Sequence, residues 1–144
     1  MPAVTADEIA MSLGLRPHPE GGAYVETWRA DPGPDGRALG TSIHYLLRAG
    51  ERSHWHRVDA TELWLFHAGG PLALTVEVGP GQVERTVLGP GIAAGERPQV
   101  VVPAGAWQSA TPLGAWTLVS CVVVPGFSFD GFELAPPGWS PTAD

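Results

Sequence analysis

The chain has 144 residues, 44% of them hydrophobic and 16% charged, with a net charge of −7. That length fits one domain around one core, placed here at residues 1–144 with its centre at about 14–135. All eight basic residues are arginine, which excludes lysine Schiff-base chemistry and a phosphate-loop lysine, and the acidic balance argues against a nucleic-acid partner.

No apolar run approaches the ~20 residues of a membrane span, and the N-terminus lacks a charged-then-apolar leader pattern. No membrane association is expected. Cys121 is the single cysteine, so no intrachain disulfide forms and a cytoplasmic location is expected. The 19 glycines and 15 prolines fit many short strands joined by tight turns.

In chain order, residues 5–13 form the one clear helix. Thr5 is its cap, Glu8 its capping-box partner, and Gly14 its left-handed end. Ile9, Leu13 and Met11 offer a small apolar patch that places the helix outside the sheets. The segment His18-Pro19-Glu20-Gly21-Gly22 then combines an acid/base candidate, Glu20, with two glycines that allow unusual backbone angles. Alternation predicts strands over 23–30 and 41–48, separated by a turn-rich loop. On the first of them Tyr24, Glu26 and Trp28 share a face. Short strands follow over 53–58, 61–68, 72–78 and 82–88, the last two flanking Gly79-Pro80-Gly81 as a hairpin. Residues 99–110 and 127–135 read as further strands. Residues 116–124 form an apolar run suited to a central strand, which makes Cys121 a buried, inert thiol.

Eight or so short strands imply a sandwich or barrel, and the motifs decide between them. His54 and His56 are two apart, so on a regular strand both imidazoles share one face. Glu62 opens the next strand, and Trp64 and Phe66 share its parity as aromatic walls. Pro103-Ala104-Gly105 forms a turn after an apolar strand, with Trp107 and Gln108 just beyond.

Gly50, His54, His56, Glu62 and Gly69 resemble the first motif of the cupin superfamily, and Pro103 and Gly105 resemble part of its second. Five residues, rather than three or four, separate His56 from Glu62, and Gln108 stands where the second motif has its last histidine. The stretches LRPHPEGGAYVETWRA, TSIHYLL, SHWHRVDATELW, GERPQVVVPAGAWQSA and PGFSFDGFELA are similar to one cupin family, whose members are labelled predicted sugar epimerases or domains of unknown function. The resemblance covers residues 12–138. It implies an all-β fold, a cupin jelly-roll barrel (a double-stranded β-helix) with one short N-terminal helix. It also implies a homodimer and a small-molecule ligand in the barrel.

Three functions compete. The first is a sugar or polar-metabolite epimerase or isomerase with no required cofactor. His56 or Glu62 is its base and Tyr24 or His54 its acid, with Glu20, Glu26, Trp64, Phe66, Trp107 and Gln108 around the substrate. The second is a metal-dependent cupin that holds one divalent ion with His54, His56, Glu62 and Gln108. The third is a non-catalytic ligand-binding barrel. Gln108 is a poor substitute for a histidine ligand, which favours the first over the second.

Overall fold

The computed structural model describes residues 3–142. Helix α1 (Ala6–Leu13) starts where the cap predicts: Thr5 Oγ1 accepts the Glu8 amide at 3.1 Å, and Gly14 ends it at φ 70°. It buries no residue, and Met11 is exposed to solvent.

Among the described residues eleven strands follow: β1 (Arg16–Pro17), β2 (Ala23–Arg29), β3 (Thr41–Arg48), β4 (Ser53–Val58), β5 (Thr61–Gly69), β6 (Leu72–Gly79), β7 (Gln82–Leu88), β8 (Gln99–Val102), β9 (Gln108–Pro112), β10 (Trp116–Val124) and β11 (Phe132–Leu134). They form two antiparallel sheets, β1-β2-β3-β10-β5-β8 and β11-β4-β9-β6-β7. From β3 to β6 the chain changes sheet at every connection, and again from β7 to β10. That alternation winds a jelly roll.

Two sequence expectations change. The strand expected over 99–110 is two strands in different sheets, because the Pro103–Gly105 turn carries the chain from one wall to the other. The strand expected over 127–135 begins instead with a 3-10 turn at Phe129–Gly131, capped by Ser128, and only Phe132–Leu134 pairs with β4.

The barrel is filled at one end and open at the other. Tyr45, Leu47, Trp64, Leu72, Leu74, Leu88, Val102 and Val119 pack into one core cluster. Each fully buried leucine there contributes about 1.5–3 kcal/mol. Further along the same strands, Ile43, Glu62 and Val123 line open space instead. No helix among the described residues is long and apolar enough to cross a membrane.

Candidate functional site

The open half of the barrel is a cavity of about 750 Å³. His18, Glu20, Tyr24, His56, Glu62 and Cys121 line its inner part. Glu26, Arg29, Arg37, Asp59 and the segment 127–131 line the remainder.

The arrangement starts at a turn. The His18 amide donates to the Gly22 carbonyl at 2.9 Å, and the Gly21 amide donates to the His18 carbonyl at 3.0 Å. Both glycines have positive φ, 111° and 75°, and neither has room for a Cβ. The turn thereby points His18 and Glu20 inward, and both are buried. The His54 amide donates to the Glu20 carbonyl at 2.8 Å, which ties the turn to β4.

Strand β4 is bulged. Ser53 pairs with Ala110 and His56 with Gln108, so three steps on β4 match two on β9. The extra residue reverses the alternation, and Ser53 and His56 both point inward. His54 does not share their face. Its Nε2 bonds the Pro136 carbonyl at 3.0 Å, and it is absent from the cavity lining. The expectation that His54 and His56 converge is therefore corrected by one inserted residue.

Glu20 lies against His56, and Glu62 is near enough for its charge to act on the ring. The His56 Nε2 lies 3.4 Å from Glu20 Oε2, and the Ser53 hydroxyl donates to that same oxygen. His56 Nδ1 donates to the His54 carbonyl at 2.7 Å, which leaves Nε2 as the lone-pair nitrogen. Burial pushes the Glu20 carboxyl up to about 8, against the opposing bonds from Ser53 and Tyr45. Burial also pushes Glu62 up to about 7, opposed by His56. His56 itself is lowered by burial. His18 is lowered to about 4, by burial and then by the charge of a protonated His56.

Gln108 and Trp64 support the site from behind. The Trp64 indole N–H donates to Gln108 Oε1 at 2.8 Å, and Gln108 Nε2 donates to Glu62 Oε1 at 2.7 Å. An indole N–H can only donate, so it fixes which end of the amide faces Glu62. Gln108 is a positioning residue, and its two polar ends are occupied.

Other candidates fall elsewhere. Trp64 and Phe66 share the inward parity of Glu62 but belong to the packed end, because alternation gives a face and not a depth. Trp107 sits outside the cavity against Trp139, its ring beneath the Arg57 guanidinium at 4.6 Å. Tyr24 lines the cavity, its ring edge-on to His18 with centroids 4.5 Å apart. Glu26 also lines it, exposed and paired with Arg29 at 2.7 Å. Trp28 leaves that face because β2 shifts register against β3 between Glu26 and Trp28. Alternation could not show His18, Ser53, Arg29 or Arg37. Only the His-x-Glu-Gly-Gly spelling of the first turn signals His18.

The two-sheet winding and this cavity agree with a family model, Cupin superfamily (DUF985), which matches residues 7–135. The chain belongs to the cupin superfamily. A protein from Shewanella oneidensis has a similar structure, with 42% identity, TM-score 0.89, and coverage of 92% of this cupin and 85% of that chain. A hypothetical protein from Leishmania major is 34% identical with TM-score 0.82, covering 90% and 86%. Oxalate decarboxylase from Bacillus subtilis shares the fold, at 18% identity and TM-score 0.63 over 82% of this cupin and 29% of that chain. No curated protein matches.

One solved structure of that decarboxylase is described for its Mn(II) centres. In this cupin the residues standing in the motif positions do not fit such an ion. His54 is turned out to Pro136, and Gln108 is held between Trp64 and Glu62. Among the described residues no group of three or more His, Cys, Asp or Glu side chains is placed to hold a metal ion.

Proposed function

We propose that this cupin is an acid–base enzyme, an epimerase or isomerase of a sugar or similar small polar metabolite. The observation that carries the reading is the convergence of Glu20, His56 and Glu62, all buried, on one cavity. Carboxyl groups raised to about 8 and about 7 are poised to give and take protons near neutral pH.

In this reading Glu62, as the carboxylate, takes the proton from a carbon beside a carbonyl. The electron pair moves onto the carbonyl oxygen as an enolate. Glu20, in its protonated form, supplies a proton to the same or the neighbouring carbon, and between turnovers His56 Nε2 takes the proton now on Glu62 and returns it to Glu20. No net oxidation occurs, and the proton count closes. Gln108 holds Glu62, and Ser53 holds Glu20. The divalent-ion set His54, His56, Glu62 and Gln108 carries no step, because two of its members are committed elsewhere.

The test is deuterium incorporation from heavy water into a panel of keto-sugars, read by mass spectrometry. Wild-type protein is expected to label at least one member. Glu62→Gln and His56→Gln are each expected to slow labelling roughly 10²–10⁴-fold. Binding of a panel member without labelling favours the ligand-binding barrel and overturns the enzyme reading. The homodimer is proposed alongside, and sedimentation equilibrium giving a monomer mass would contradict it.

A further inference from the structure

The two imidazoles of the cavity hold opposite tautomers. His56 gives its Nδ1 proton to the His54 carbonyl, so its Nε2 faces Glu20 as an acceptor. At His18 the Glu20 amide N–H donates to Nδ1 at 3.1 Å, so Nδ1 is the lone-pair nitrogen and the ring proton sits on Nε2. That Nε2 makes no hydrogen bond within the described residues, yet no buried side-chain nitrogen or oxygen lacks a partner. His18 lines the cavity, so its Nε2–H opens onto the ligand space. The ring is held by Tyr24, Tyr45 and Phe132 at centroid distances of 4.5, 5.6 and 6.2 Å. It cannot swing away without disturbing an aromatic cluster.

Charge near this donor is one-sided. Glu20 and Glu62 are the inner carboxyl neighbours, beside His56, Tyr24 and Cys121. Both lining arginines are already paired. Arg29 binds Glu26, and Arg37 binds Asp59 at 2.7 and 3.0 Å and the Gly126 carbonyl at 2.6 Å. An anionic ligand group would meet the Glu62 carboxylate at the inner end, with neither lining arginine free to offset it.

We propose that His18 is the hydrogen-bond donor of the site, an uncharged imidazole whose Nε2–H binds a ligand carbonyl oxygen, and that the cavity selects uncharged carbonyl compounds over carboxylates and phosphates. A neutral imidazole in this role stabilises a developing enolate oxygen without surrendering its proton. The inference rests on the acid–base reading for its chemistry, but not for its test.

The test uses long-range nitrogen–proton NMR of the full-length protein at neutral pH. His18 is expected as the Nε2–H tautomer and His56 as the Nδ1–H tautomer. Pyruvamide and pyruvate are matched probes, alike in size and differing in charge. Pyruvamide is expected to shift the His18 ring nitrogens, with pyruvate at least about tenfold weaker because its carboxylate enters without a counter-charge. His18→Gln, which keeps an N–H donor, should retain pyruvamide binding, and His18→Phe should lose it. An imidazolium or Nδ1–H ring at His18, equal binding of pyruvate, or no response to either probe overturns the proposal. None of these readouts involves turnover. Failure of deuterium labelling with His18 behaving as described sinks the enzyme reading alone.

Discussion

Glu20 and Glu62 are carboxyl groups that folding makes harder to ionise, and this has a sign that stability measurements can read. Their pKa values rise from 4.5 to about 8 and about 7, so the folded chain keeps protons that the unfolded chain has lost. His18 falls from 6.5 to about 4, and His56 is also lowered, so there the unfolded chain holds the extra protons. Between 4.5 and 6.5 the two effects oppose one another, and stability should change little with pH. From 6.5 to about 8 only the carboxyls act, and stability should fall as pH rises. Urea midpoints across this range check the shape. Glu20→Gln should flatten the alkaline fall, because the amide stays neutral throughout. At the same scale, Trp64→Phe removes the donor that orients Gln108. It should slow deuterium labelling while leaving pyruvamide binding in place, since neither residue lines the cavity.

At the scale of elements, the strands were legible because their alternation and turn residues were plain. Thr5, Gly14 and the Gly79-Pro80-Gly81 turn all act as their sequence suggests. The candidate site was legible in part: His56, Glu62, Glu20 and Tyr24 reach the cavity. His54 was misplaced because a bulge has no residue signature in this strand, and one extra residue turns every later side chain over. The same failure removed Trp28 from the face of Glu26. The Gly21-Gly22 turn is the element on which the site depends most. A Cβ on Gly21 would lie 2.1 Å from the Arg52 carbonyl oxygen, where φ is already 111°. Gly21→Ala should therefore destabilise the fold by on the order of 3 kcal/mol and displace Glu20. Gly105→Ala, with nothing within 4 Å of its Cβ at φ 81°, should cost only about 1 kcal/mol. Urea denaturation of the two variants separates crowding from backbone strain.

At the scale of the whole molecule, the sequence announced a jelly roll but not how the barrel is divided. Trp64 and Glu62 share a strand face, and packing alone decides that the tryptophan seals one end while the glutamate meets the cavity. That division sets the chemistry. The filled end excludes water behind Glu62 and Glu20, and the exclusion is what raises both carboxyls. The departures from the superfamily's metal motif then take on a consistent meaning: Gln108 serves as the support of a carboxylate, and His54 as a strap to Pro136. The most direct measurement is a carbon-13 NMR titration of the side-chain carboxyls, assigned with Glu20→Gln and Glu62→Gln. Two resonances titrating at about 8 and about 7 are expected. Both groups titrating near the ordinary carboxylate value of 4.5 would contradict the account.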